Sequence, residues 1–408
     1  MDEVHAASIV RAMTEGGLAG IPEPDLLRDF CVRVGDCGLR LTRSMVLIDT
    51  LHPVHEGRVF RWRSDETHFE RIVEYGRTNE PGEAQDVWLR SPFYHLLQSG
   101  ESILRRRVGA GHPVDFPILD DLREQGQTDF VVLIQRFAET GTIGEMDGVY
   151  SSWSTDAPGG FTDEQIADLR GLVPSLALAV KCVSLTRIAE TLVETYLGRD
   201  AGRLVLSGRI GRGVADRIGA VLWYSDLHSF SRISETAAPD EIIPFLNDYS
   251  EAIISSVHEA GGDVLKLIGD GTLAIFKPDD PAQACRCALE ADALMRRRIA
   301  GLNARRGALG LPVTDAYLGL HIGEVFYGNI GSEDRLDFTV VGPAVNEVSR
   351  IVALCRSVER DVLASSAIVA AASDADRPSL VSIGRYALKG VQEPQELFTL
   401  HRESEPAR

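Results

Sequence analysis

Two aspartates stand at the ends of apolar runs, and their placement sets the chemistry the chain could perform. Asp226 closes Ile218-Gly219-Ala220-Val221-Leu222-Trp223-Tyr224-Ser225, which reads as a buried strand. Asp270 lies in Gly269-Asp270-Gly271, between Val264-Leu265-Lys266-Leu267-Ile268 and Thr272-Leu273-Ala274-Ile275-Phe276. Glycine on both sides of an aspartate between apolar runs marks a tight hairpin. Taken alone, such a triplet is a plain surface turn. Two carboxylates converging at strand ends are what a two-metal phosphoryl-transfer site requires, because Mg²⁺ takes few protein carboxylates and completes its shell with substrate phosphate oxygens. Asn346 and Arg350 are four apart, on one face of the helix that Gly342-Pro343 would begin. Arginine is a permanent cation whose fork suits phosphate oxygens; the plain alternative is a helix cap and a solvated side chain.

The elements that must bring these residues together follow in order. A strand ends at Asp226, a helix runs from about 236 to 260, the hairpin carries Asp270, a second helix covers about 281–303, and the strand Ala316-Tyr317-Leu318-Gly319-Leu320-His321-Ile322-Gly323 follows. This is a ferredoxin-like split β-α-β order, in which the first strand and the hairpin lie side by side.

Five blocks in this order resemble the class III nucleotidyl cyclases: Ser225-Asp226-Leu227-His228-Ser229-Phe230-Ser231, Gly262 to Gly271, His321 to Gly331, Phe338 to Arg350, and Tyr386-Ala387-Leu388-Lys389-Gly390-Val391. The resemblance spans about residues 215–400. It implies conversion of a nucleoside triphosphate to its 3′,5′-cyclic monophosphate and pyrophosphate. It also implies two divalent cations (Mg²⁺ or Mn²⁺) held by Asp226, Asp270 and the Leu227 backbone carbonyl. Asn346 would orient the ribose, Arg350 would stabilise the transition state, and Lys389 would contact phosphate. Lys266 and Thr339 stand at the base-recognition positions. A lysine donor and a threonine hydroxyl suit the N1 acceptor and exocyclic amine of adenine, so ATP is the expected substrate, with guanylate cyclase as the alternative. Threonine replaces the aspartate of many members, as in a bacterial-type subset.

In that family the site forms between two catalytic domains, one giving the aspartates and Lys266, the other Asn346 and Arg350. One chain here carries both sets, which implies a head-to-tail homodimer. There are two departures: His228-Ser229 replaces the small or glycine residues usual after the first metal aspartate, and Ser332-Glu333-Asp334-Arg335-Leu336-Asp337 reads as a solvated, flexible stretch. A diguanylate cyclase reading, prompted by Gly261-Gly262-Asp263, fails because Val264-Leu265 follow. A catalytically weak nucleotide-binding regulator is disfavoured, since every expected polar residue is kept.

Residues 1–162 read as a mixed α/β domain resembling GAF-like sensors from about residue 25. The closing strand Gly148 to Ser154 and then Gly160-Phe161-Thr162-Asp163-Glu164 carry the likeness. Thr162 caps the next helix, with acids in its first turn. No ligand is assigned: His52, His55, His68, His95 and His112 lack ligand spacing, and an unidentified small molecule or cofactor is the expected partner. Residues 163–213 form a helix and a Gly/Arg-rich connector. Ile166, Leu169, Val173, Leu176, Val180 and Val183 step by three and four, a heptad-like seam that reads as a dimerising helix pairing with its copy in a second chain, the alternative being packing on its own domain. Gly198 to Gly213 lacks the ending of a P-loop and reads as a flexible linker before the catalytic domain at 214–408.

At 408 residues the chain predicts two or three domains, α/β in class. A net charge of −18 argues against nucleic acid or an anionic membrane as the main partner. No run of about 18 uncharged apolar residues occurs, so no membrane span is expected. Six cysteines in so long a chain suggest reduced thiols and a cytoplasmic protein. Cys285-Arg286-Cys287 sits in a helical pattern that splays its thiols apart.

Overall fold

The computed structural model describes residues 1–65, 69–109, 111–137, 143–144, 146–389 and 393–401. His68, Gly390 and Val391 lie outside them. The chain divides into two compact units, Met1–Leu192 and Val193–Arg408.

The first unit opens with helices α1 (Glu3–Leu18) and α2 (Glu23–Asp36) and strands β1 (Arg43–Asp49), β2 (Gly57–Arg63) and β3 (Ile72–Tyr75). Helices α3 (Glu83–Leu89) and α4 (Pro92–Ser99), strand β4 (Ile103–Arg107), helix α5 (Ile118–Glu124) and strands β5 (Asp129–Arg136) and β6 (Gly148–Thr155) follow. Helix α6 (Asp163–Leu197) closes the unit and runs five residues past its boundary. The strands form one antiparallel sheet in the order β3-β2-β1-β6-β5-β4. β5 shows why both faces are covered. Val131 and Leu133 join the cluster under α1, α2 and α6, while Phe130, Val132 and Ile134 alternate into a second cluster with α4 and α5.

Local signals set two helix starts, the second of which, at Thr162, the sequence predicts. Ser91 accepts from the Tyr94 N–H at 3.1 Å, with Pro92 in the first turn of α4. At α6, Thr162 Oγ1 accepts from the Gln165 N–H at 3.2 Å and Gln165 Oε1 accepts from the Thr162 N–H at 3.0 Å, a reciprocal capping box. The predicted α6 seam is already in use. Leu169, Val173, Leu176, Val180 and Val183, expected to pair with a second chain, are buried in this unit's own core. By length and composition α6 could cross a membrane, the one such helix among the described residues; half of its apolar window is buried inside the protein.

The second unit begins with a correction. Residues 199–206, expected as a flexible linker, form helix α7 (Arg199–Leu206). Ala201 is buried, and Leu197, Leu204 and Val205 pack with it against Leu222, Ile275 and Tyr327. Asp200 accepts from Tyr327 Oη at 2.9 Å and is ion-paired to Lys277. The Gly/Arg composition hid an apolar face. Next come β7 (Ala215–Leu227), α8 (Phe230–Thr236), α9 (Pro239–Glu259), β8 (Asp263–Ile268), β9 (Gly271–Phe276), α10 (Pro281–Ala308) and β10 (Ala316–Gly331). The chain ends with β11 (Leu336–Val341), α11 (Pro343–Cys355), β12 (Val362–Ser365), α12 (Ser366–Ala371), β13 (Leu380–Tyr386) and β14 (Gln395–Leu400).

The central strand order β10-β7-β9-β8 is the ferredoxin-like order, antiparallel throughout. β12 adds parallel to β10, β14 and β13 extend that edge, and β11 folds back on β10 as a hairpin. Helices α9 and α10 pack on one face through Phe245, Tyr249, Ile253, Cys285, Met295 and Ile299. Helix α11 covers the opposite face through Ala344, Val348, Ile351 and Val352.

Candidate active site

Asp226 sits one residue from the end of β7, opposite Tyr317 of β10. On its other side β9 pairs Ser225 with Thr272, which brings the start of β9, and hence Asp270, beside Asp226. Ile268 pairs with Gly271, so the hairpin loop is only Gly269-Asp270, and Gly269 takes φ 63, a conformation glycine adopts without a Cβ penalty. The Leu227 N–H donates to Asp270 Oδ2 at 3.3 Å and pins that carboxylate to the end of β7.

The sequence thus predicts the convergence, and the structure supplies its electrostatics. Burial, then the like charge of Asp270 and a hydrogen bond with it, push the Asp226 carboxyl up to about 6. Among the described residues neither aspartate is ion-paired with a lysine or arginine. Two hard-oxygen donors with uncompensated negative charge fit divalent cations. No group of three or more metal-ligating side chains occurs among the described residues.

The departure at His228-Ser229 is absorbed by the scaffold. The His228 ring lies 3.7 Å from the Tyr317 ring, its N–H donates to the Asp315 carbonyl at 2.8 Å, and its carbonyl accepts from Thr314 Oγ1 at 2.7 Å. Ser229 adopts φ 53, the left-handed region where glycine is favoured.

Asn346 is exposed and Arg350 half-buried on α11, on the face away from Ala344, Val348 and Ile351. The helix is held close to the sheet, because a Cβ on Gly319 of β10 would meet the Val348 carbonyl oxygen and the Val352 nitrogen, each at 2.9 Å. Glu347 lies 3.7 Å from His321 Nδ1, which is itself 2.9 Å from Ser365 Oγ. Burial lowers the His321 pKa and Glu347 opposes that shift. Neither Asn346 nor Arg350 is hydrogen-bonded or ion-paired to the aspartates among the described residues. Lys389 is exposed just after β13.

Lys266 lies on the incoming strand of the hairpin that carries Asp270. It shares β8 with the hairpin, but its Nζ is ion-paired with Asp337 of β11. β11 also carries half-buried Thr339 and leads through Gly342 into α11. Of the stretch Ser332 to Asp337, expected to be flexible, Ser332 to Arg335 form the β10–β11 turn and Leu336-Asp337 begin β11. The Ser332 N–H donates to the Arg335 carbonyl at 2.8 Å, the Arg335 N–H donates to Ser332 Oγ at 3.1 Å, and Gly331 pairs with Leu336. Asp337 escaped notice as one acid among several; the signal was its two-residue spacing from Thr339 on a strand.

The family model of the adenylate and guanylate cyclase catalytic domain matches residues 215–402. The second unit carries a class III cyclase catalytic domain. This cyclase domain is 34% identical over 161 residues to an adenylate cyclase of Anabaena cylindrica, covering 38% of this chain and 31% of that protein. It is 30% identical over 173 residues to adenylate cyclase 1 of Rhizobium meliloti (strain 1021), covering 41% of this chain and 25% of that protein. The chain therefore spans about a third or less of the length of these curated relatives. Among solved structures, the guanylyl cyclase Cya2 aligns with a TM-score of 0.40 at 30% identity, over 47% of this chain and 96% of that one.

Proposed function

We propose that the protein is an adenylate cyclase that forms 3′,5′-cyclic AMP and pyrophosphate from ATP. The observation that carries this reading is the convergence of Asp226 and Asp270 with no lysine or arginine paired to either among the described residues, in a domain whose Lys266 and Thr339 suit adenine. Asp226, Asp270 and the Leu227 carbonyl would hold two divalent cations, Mg²⁺ or Mn²⁺. When bound, these cations lower the pKa of the ribose 3′-hydroxyl and neutralise phosphate oxygens. The 3′-oxygen attacks the α-phosphorus in line, the bond from that phosphorus to the bridging oxygen breaks, and pyrophosphate leaves with the electron pair. Asn346 orients the ribose, Arg350 meets the charge that grows on the phosphate oxygens, and Lys389 contacts the leaving phosphates.

The active species is a homodimer, with the aspartates from one chain facing Asn346 and Arg350 of the other. The Lys266–Asp337 pair supports grouping Lys266 with Thr339 and α11, not with the aspartates. The six-stranded antiparallel sheet of the first unit, helices on both faces, supports a GAF-like sensor role with an unidentified small-molecule ligand or cofactor. A thermal-shift screen and an absorbance spectrum for haem or flavin would identify the ligand class.

The deciding assay is purified protein with ATP or GTP and Mn²⁺ or Mg²⁺, with cyclic product resolved by chromatography. Cyclic AMP is the expected product, and Asp270→Asn abolishes it. Full activity in that variant would remove the metal assignment, and cyclic GMP as the main product would overturn the choice of base.

A further inference from the structure

Lys266 is not free at the surface; it is held by an acid that none of the family's base-recognition positions accounts for. Its Nζ is ion-paired with Asp337, and the two side chains are 44% and 43% exposed, so neither polar head is sealed from a ligand. β11 alternates: Phe338 and Val340 are buried in the core at 4% exposure each, which turns Asp337 and Thr339 together to the opposite side. Residues two apart on a strand are separated by roughly 6.5–7 Å, close enough for their side chains to converge on one purine base. Lys266, Asp337 and Thr339 therefore make one polar patch.

We propose that Asp337 is a specificity-determining residue for the base, accepting the exocyclic amine of adenine while Lys266 donates to N1. This inference rests on the adenylate cyclase reading. The ion pair uses one of the three Lys266 donors and one Asp337 oxygen, leaving donors and an acceptor for the base. Adenine offers an amine donor at position 6 and an acceptor at N1, which matches an acid beside a lysine. Guanine reverses the order, with an oxygen acceptor at position 6 and a donor at N1, so its O6 would face the carboxylate. Threonine at 339 supplies only a hydroxyl. Asp337 restores, two residues earlier on the same side of the strand, the carboxylate that this chain lacks at 339.

The test compares ATP with GTP in wild type, Asp337→Asn and Asp337→Glu, with Glu333→Gln as a control for net charge. Asp337→Asn, close in shape, removes the charge and adds a donor that guanine O6 can accept. Its ATP:GTP ratio of kcat/KM is expected to fall by about ten- to hundredfold, the range of a hydrogen bond to a charged group. Asp337→Glu should keep most of the preference and Glu333→Gln all of it. An unchanged or increased ratio, or an equal loss for both nucleotides, overturns the proposal. Binding of 3′-deoxy-ATP and 3′-deoxy-GTP, which cannot cyclise, gives the same comparison without turnover. A wild type that prefers the adenine analogue but makes no cyclic product would count against the cyclase reading alone. Loss of that preference in Asp337→Asn would still establish the base contact.

Discussion

Asp226 and Asp270 repel each other in a half-buried corner, and that repulsion is the part of the site most open to measurement. The Asp226 carboxyl, at about 6, lies above the usual carboxylate range, so between pH 4 and 6 the folded, cation-free protein holds a proton that the unfolded chain has released. Stability then falls as pH rises through that window, because the native state binds more protons. The melting temperature of EDTA-treated protein is expected to show a component that decreases from pH 4 to 6 and disappears in Asp226→Asn. Divalent cations should bind more weakly below pH 6 and release protons on binding, seen as buffer-dependent heats in titration calorimetry. Ser229 offers a second test. Its left-handed backbone costs about 1 kcal/mol relative to glycine, so Ser229→Gly should raise the unfolding free energy by about that amount, read as a higher denaturation midpoint at unchanged slope.

At the scale of the element, α11 matters because the two side chains proposed to act on the ribose and the phosphates ride on it. Gly319 lets it sit against β10 with no room for a methyl group. Gly319→Ala is expected to cost about 1–3 kcal/mol and to lower turnover more than nucleotide binding, since Asn346 and Arg350 shift with the helix. Chemical denaturation and steady-state kinetics separate the two effects. Helix α7 makes a parallel case. Asp200 links it to Lys277 and Tyr327, so Asp200→Ala should destabilise the second unit and leave the Lys277 charge without that partner. If α7 were a loose linker, as its composition implied, the melting temperature would not move.

For the whole molecule, the dimer proposal makes a prediction that no single variant can. Asp270→Asn and Arg350→Ala should each be inactive alone. Mixed, they form heterodimers in which one of the two sites keeps both its aspartates and its arginine, so activity should return to about a quarter of wild type after subunit exchange. No recovery, in a mixture shown to exchange, would place both halves of the site within one chain.

The sequence alone determined which residues could do the chemistry and in what order the strands carry them. Asp226 and Asp270 were legible because a period-2 apolar run and a glycine-flanked aspartate are local signals, and the ferredoxin-like order then leaves few ways to pair the strands. The cap of α6 at Thr162 was legible for the same local reason. Tertiary structure decided what each polar or apolar face meets. The stripe on α6 satisfied both a dimer seam and a domain core, and only packing against β5, α1 and α2 chose the core. The apolar side of α7 was outweighed by its glycines and arginines until Leu222 and Tyr327 gave it a surface. Lys266 and Asp337 are 71 positions apart, and their pairing depends on β11 folding back along β10. Periodicity reports only that a side chain turns inward or outward; which partner waits there is set by long-range strand pairing.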